Sequence, residues 1–184
     1  KLLSDTVDCV ILGYYNGRGV RSKFGIGGLL VGVYDKEKEV YKTVSKIGTG
    51  LTEEDLKYLK KKCDQIQVKN KPKNVEMDKI FTPDVFVSPK MVIEIGADEI
   101  SVSPTHTAGY ALRFPRLIKF RDDKNPEDTT NVSEIEKMYK NEENESSLLD
   151  IAKKVLSEES LSLCKLCEKL DDNFIKACNL ILEC

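Results

Sequence analysis

Three β-rich runs stand close together near the start of this chain and leave it little choice of fold. Val7-Asp8-Cys9-Val10-Ile11-Leu12 ends at Gly13, Ile26 to Tyr34 follows, and Val40 to Ile47 alternates apolar and polar residues. Branched and aromatic side chains suit a pleated, half-buried surface, and alternation gives a strand one dry and one wet face. The connections are short: Tyr14-Tyr15-Asn16-Gly17-Arg18-Gly19 is turn-rich and basic, and Asp35-Lys36-Glu37-Lys38 is a polar turn. Strands joined this way predict an antiparallel meander. Gly27, Gly28 and Gly32 in the second run point to tight bends or a close backbone approach.

Thr52 and Asp55 form a candidate capping box ahead of Leu56, Leu59 and Cys63, so a helix is expected there. Residues 67–83 are polar and contain Pro72 and Pro83, and read as a loop. Asp84-Val85-Phe86-Val87 and Met91 to Ile95 read as strands split by Pro89, and Ile100-Ser101-Val102 as a short one. His106 to Gly109 turns, and Tyr110 to Phe120 is the last β candidate. Pro115 lacks an N–H and forbids a regular central strand there. Five or six short strands with one helix predict a small β-barrel of OB type.

After Lys124-Asn125-Pro126 the composition changes. Val132 to Tyr139 reads as a short helix, 141–147 as an acidic linker, and Leu148 onward as helix with a break at Asp171-Asp172-Asn173. The expected class is mainly β: a small OB barrel with one intervening helix and a C-terminal α-helical extension. The expected boundaries are 1–140 for the barrel domain, 141–147 for the linker and 148–184 for the extension.

Hydrophobic residues at 40% and charged residues at 33% exclude a disordered chain, and no apolar run is long enough for a transmembrane helix. Residues 131–184 hold 12 acidic and 7 basic residues, leaving 19 acidic and 22 basic in 1–130. A mildly basic body therefore carries an acidic tail, and a basic body fits an anionic partner. The chain opens at Lys1 without Met or a signal-peptide pattern and stops at Cys184 inside an apolar run, as a piece of a longer protein would. The six cysteines are not spaced as a disulfide framework, which favours a reducing, cytoplasmic setting. Cys164-Lys-Leu-Cys167 has no second pair and His106 is distant in sequence, so thiols packed along a helix are expected rather than a metal site.

No phosphate-binding GxxxxGK[ST] loop is present, and the glycines around Gly27 do not make a dinucleotide fingerprint. Two basic clusters stand out. Arg18, Arg21 and Lys23 surround Gly17 and Gly19, either as phosphate contacts or as a solvated hairpin loop. Arg113, Arg116, Lys119, Arg121 and Lys124 place five cations in twelve residues. Arginine forks match phosphate oxygens, while Asp122 and Asp123 offer the alternative of surface ion pairs.

Four segments resemble ATP-dependent DNA ligases, most closely the prokaryotic and archaeal types. Asp5 to Arg21 looks like the stretch just after nucleotidyltransferase motif V. Lys46-Ile-Gly48-Thr-Gly50-Leu-Thr-Glu-Glu-Asp resembles a KxGTGFTDE-like segment, and Val92 to Pro104 a VxEVxADxxxxSP segment. Arg113-Phe-Pro-Arg116 with Arg121 to Thr130 is similar to motif VI, RFPRxxxxRxDKxPxxxTT. The resemblance implies the OB domain of a ligase, which closes on ATP for lysine adenylation and then grips nicked double-stranded DNA for sealing. It implies ATP phosphate contacts for Arg121 and Lys124, cofactor contacts for Arg113 and Arg116, and a DNA face at Arg18, Arg21 and Lys23. ATP, a divalent metal such as Mg and an adenylation domain in cis are implied, in a monomer. The nucleophilic lysine lies in a KxDG motif that does not occur here, so the chain alone is expected to be inactive. Where many relatives carry Lys, this chain has Gly96.

Ile151 to Glu158 and Leu166 to Cys184, with Leu170-Asp-Asp-Asn-Phe174 and Ile181-Leu-Glu-Cys184, look like the N-terminal helices of arabinose 5-phosphate isomerases. That resemblance implies a ligase fused to a phosphosugar isomerase. The other reading from the basic barrel is a stand-alone OB module that binds nucleic acid through aromatic platforms such as Tyr14-Tyr15. An RNA capping enzyme shares the nucleotidyltransferase plan, but the SP and RFPR segments favour a ligase.

Overall fold

Strand β1 (Val7–Tyr15) organises the barrel because it pairs antiparallel with three others. The computed structural model describes residues 6–167 and 172–182. After β1 come β2 (Gly28–Asp35), β3 (Val40–Ile47), α1 (Glu53–Gln65), β4 (Gln67–Val68), β5 (Val75–Glu76) and β6 (Val85–Val87). Then follow β7 (Val92–Gly96), β8 (Glu99–Val102), β9 (Tyr110–Arg113), β10 (Arg116–Phe120), α2 (Val132–Cys167) and α3 (Asp172–Leu182). The main sheet runs β10-β7-β1-β2-β3-β5, with β4 and β6 attached through β1, and β8 and β9 form a separate hairpin. That hairpin meets β3 where Ser45 Oγ donates to the Leu112 carbonyl at 3.3 Å. Register shifts at Ile11/Gly13, Val31/Gly32 and Leu117/Lys119 bend the sheet into an OB-like half-barrel.

The period of two sorts β1 side chains between two environments. Val7, Cys9 and Ile11 enter the main core with Leu29, Val31, Val44, Ile93 and Ile95. Val10 and Leu12 join a smaller cluster on the other face with Leu30, Tyr41, Val75 and Val92. Each fully buried aliphatic side chain contributes roughly 1.5–3 kcal/mol. Helix α1 closes the main core with Leu56, Leu59 and Cys63, and starts at the expected capping box of Thr52 and Asp55. Helix α2 opens on a second box: Asn131 Oδ1 accepts from Glu134 N–H at 3.0 Å, and Glu134 Oε2 from Asn131 N–H at 2.8 Å. One turn on, Ile135 is fully buried against the barrel.

Four expectations need correction. Residues 67–83 hold β4, β5 and a 3-10 turn (Lys79–Phe81), because short strand edges need only two or three residues to pair. Pro115 divides 110–120 into β9 and β10, which join different sheets, and the described residues hold ten strands rather than five or six. Residues 141–147 are helical and lie inside α2; no Gly or Pro lies between Val132 and Cys167 to interrupt the helix at that acidic stretch. Cys164 and Cys167 are exposed on α2 rather than packed. The expected break near 171 falls partly on residues 168–171, outside those described.

The chain divides into two compact units between Lys140 and Asn141. In the second, Leu148, Ile151, Val155, Leu163 and Phe174 are exposed. Among the described residues no helix is long and apolar enough to cross a membrane.

Candidate functional site

A charged residue inside an apolar strand must be paired to be tolerated. Asp8 interrupts the apolar run of β1, and Glu94 interrupts that of β7. The ladder sets them directly opposite each other, with Asp8 in register with Glu94. Their side chains are only 12% and 13% exposed. Like charges facing each other across a ladder repel, so the pair requires cations.

Those cations come from β10 and the turn after it. Arg121 Nη1 lies 3.3 Å from Asp8 Oδ1 and 3.4 Å from Glu94 Oε2. Its Nε and Nη2 grip the two oxygens of Asp123, each at 2.9 Å. Lys124 Nζ reaches Asp8 Oδ2 at 2.5 Å, and Lys119 Nζ reaches Glu94 Oε2 at 3.2 Å. Thr6 Oγ1 donates to Glu94 Oε1 at 2.8 Å. The backbone completes the frame: Arg121 N–H donates to the Val92 carbonyl, and Lys124 N–H to that of Arg121. Thr6, Lys119 and Arg121 together hold the Glu94 carboxyl below its ordinary pKa. Arg121 holds that of Asp123 at about 2, and Asp123, Asp8 and Glu94 strengthen the guanidinium's hold on its proton. Of the two acids weighed as counter-ions, Asp123 pairs with Arg121, while Asp122 Oδ2 accepts from Tyr58 Oη at 3.3 Å.

Arg113 and Arg116 flank a strained turn. Phe114 sits at φ 51° and is 68% exposed, an unusual conformation for a bulky residue. Arg116 Nη1 bonds Asp98 Oδ1 at 2.8 Å, whereas Arg113 Nε is 3.8 Å from Glu99 Oε1 on the surface. A Cβ on Gly96 would come within 3.1 Å of Ile118 Cδ1 and 3.4 Å of Arg116 Nε, so the glycine leaves room first for the Ile118 side chain and then for that guanidinium.

Arg18, Arg21 and Lys23 part company. Arg21 Nη1 donates to the carbonyls of Gly27, at 3.0 Å, and Gly48, which turns the side chain into a brace between loops. Gly17 is obligatory beneath it, since a Cβ there would lie 2.1 Å from the Arg21 carbonyl oxygen. Lys23 is exposed, pairs with Glu53 at 3.1 Å and lies over the Phe24 ring. Arg18 is exposed; its carbonyl accepts from Arg21 N–H at 3.2 Å, and its side chain has no hydrogen-bond or ion-pair partner among the described residues. It borders a shallow groove with Tyr15, whose ring carries Lys46 Nζ at 3.7 Å.

Sequence reasoning missed Asp8, Glu94 and Phe114. An acid within an apolar run was the available signal for the first two; Phe114 had only its place before Pro115. His106 stacks on Phe81 and its Nδ1 bonds Ser103 Oγ at 2.8 Å, a packed turn whose burial lowers the imidazole pKa. Burial pushes the Cys63 thiol up to about 12. Among the described residues no three His, Cys, Asp or Glu gather in a way that could hold a metal.

Residues 22–124 match the family model described as the ATP dependent DNA ligase C terminal region. A probable DNA ligase of Dictyoglomus turgidum is 55% identical over 151 residues, covering 78% of this chain and 26% of its own length. The ligase domain of M. tuberculosis LigD is 26% identical with a TM-score of 0.57, over 69% of this chain and 38% of that one. Mycobacterial DNA ligase D complexed with ATP and MES is 25% identical with a TM-score of 0.54, at the same coverage. The chain thus spans about a quarter of the length of the curated relative it matches. The match takes in β2 to β10 with Glu94, Arg121 and Lys124, while β1 and Asp8 lie just before it, and the chain belongs to the family of ATP-dependent DNA ligase C-terminal regions.

Proposed function

We propose that this chain is the OB domain of a ligase that uses ATP to seal nicked double-stranded DNA, working with an adenylation domain in cis. The observation that carries this reading is the convergence of Arg121 and Lys124 on one carboxylate, Asp8. Two cations held side by side form a receptor for phosphate oxygens. When a lysine of the adenylation domain attacks the α-phosphorus of ATP, negative charge builds on the departing pyrophosphate. Arg121 and Lys124 neutralise that charge from fixed positions, which lowers the barrier without reorganisation. Mycobacterial DNA ligase D, a structural neighbour, is known in complex with ATP, which supports the assignment. Arg113 and Arg116 flank the nucleotide side, with Arg116 oriented by Asp98. A divalent cation such as Mg accompanies ATP phosphates; the acids described here are already paired with cations and do not form a ligand set, so no residue of this chain is assigned to it.

The DNA face is the surface of Arg18 and Lys23, with Arg21 bracing the loop that carries them. Phe114, exposed and strained between Arg113 and Arg116, adds an apolar contact for a groove or base step. Such contacts position the domain on the duplex without reading sequence. The domain boundaries read from the sequence, 1–140 for the barrel with the helical extension beyond, belong to this proposal, as do a monomeric state and a cytoplasmic setting. For 148–184 the isomerase resemblance stays a proposal; the exposed Leu148, Ile151, Val155 and Phe174 favour helices that another surface covers. Sequence beyond Cys184 tests it: a glycine- and serine-rich phosphosugar loop is expected.

The test of the main reading is self-adenylation. The full-length protein carrying this chain is incubated with radiolabelled ATP and Mg, and label on the protein is measured before and after addition of nicked DNA. Label that forms and is then discharged into a sealed strand supports the reading. Salt-dependent DNA binding without protein labelling favours the stand-alone OB module.

A further inference from the structure

Two facing carboxylates in a barrel wall are costly unless they serve the cations they hold. Asp8 and Glu94 hold theirs unequally. Arg121 has three carboxylate partners, Asp8, Glu94 and Asp123. Lys124 has one, Asp8. Asp8 is itself fixed from its own backbone: its N–H donates to Thr130 Oγ1 at 3.0 Å, and its carbonyl accepts from Thr130 N–H at 3.2 Å. Thr130 lies at the start of the segment that leads into α2.

A lysine on a four-carbon stem is otherwise a mobile point charge. With Asp8 as its anchor, Lys124 Nζ stays beside the Arg121 guanidinium and presents its remaining protons outward. We infer that Asp8, backed by Glu94, is a positioning residue for the adenylation step: it pre-orders Lys124 and Arg121 so that a triphosphate meets them already aligned. This rests on the ligase reading above. The gain comes from pre-organisation, and it carries an opposite cost in binding, since Asp8 places a negative charge near incoming phosphates. Loss of the carboxylate therefore has opposite effects on the two constants.

The experiment compares wild type, Asp8→Asn and Glu94→Gln in the full-length protein, measuring single-turnover self-adenylation against ATP concentration. Sealing of a pre-adenylated nick and the unfolding temperature are measured alongside. For Asp8→Asn the maximal adenylation rate is expected to fall between about tenfold and a hundredfold. The ATP concentration for half-maximal rate stays level or falls, and sealing changes less than about threefold. Glu94→Gln shows the same pattern more weakly, because Arg121 keeps two carboxylates. Asp8→Asn added to Lys124→Ala produces little further loss, as expected for groups acting as one unit. Adenylation at or above the wild-type rate in Asp8→Asn overturns the inference, as does equal loss in both steps. If Asp8→Asn does not fold, Glu94→Gln decides by the same split. Absence of self-adenylation in wild type defeats the ligase reading itself, a distinct failure.

Discussion

The guanidinium of Arg21 donates to the carbonyl of Gly48, tying the basic loop after β1 to the glycine-rich turn after β3. Arg18, three residues earlier, has no such partner. The two arginines therefore do different work despite their near-identical setting in sequence. Arg21→Ala leaves two carbonyls without a charged donor and is expected to cost about 1–3 kcal/mol of stability. Arg18→Ala should leave thermal unfolding unchanged and reduce the salt slope of duplex binding by about 0.9. Calorimetry and a salt titration of the two variants separate these outcomes; a reduced slope for Arg21→Ala at unchanged stability contradicts the assignment.

That distinction marks how far the sequence could be read. Spacing identified the basic loop and its glycines, because turn chemistry is local. It could not tell Arg18 from Arg21, because the partner of Arg21 lies 27 residues away. The meander and α1 were legible from alternation and a capping box, both short-range signals. The division at Pro115 was legible as a break, while the separate sheets on its two sides depend on distant strands β7 and β8. The motif VI cations were visible by composition and resemblance, and their carboxylate partners were hidden inside apolar runs that also read as core.

Acid should weaken the domain through Glu94. Its folded pKa lies below the ordinary value of 4.5, so its contribution is present above that value and is lost as pH falls through the lower, folded one. Unfolding temperature of the 184-residue chain should fall below about pH 4.5, and Glu94→Gln should flatten that part of the profile. Identical profiles for the two proteins contradict the role of the Glu94 ion pairs.

Phe114 at φ 51° is strained for any residue but glycine. Phe114→Gly should leave unfolding temperature unchanged or raise it, because relief of about 1 kcal/mol offsets the loss of a surface ring. Affinity for nicked duplex should fall with no change in salt slope, since no charge is removed. A loss of stability without loss of affinity makes the ring structural.

Ile135 joins the first turn of α2 to the barrel core, fully buried. Ile135→Ala is expected to cost about 2–5 kcal/mol. Chain ending at residue 140 retains this contact, and chain ending at residue 130 loses it, so the shorter form should unfold at a markedly lower temperature. Equal unfolding temperatures contradict a role for α2 in closing the barrel.

The most direct measurement takes Lys124→Ala in the full-length protein and compares its self-adenylation rate with its rate of sealing a pre-adenylated nick. Lys124 acting on ATP phosphates predicts a loss of at least about a hundredfold in adenylation with sealing largely kept. Equal losses in both steps, or none in either, contradict the assignment of this cation pair to the nucleotide.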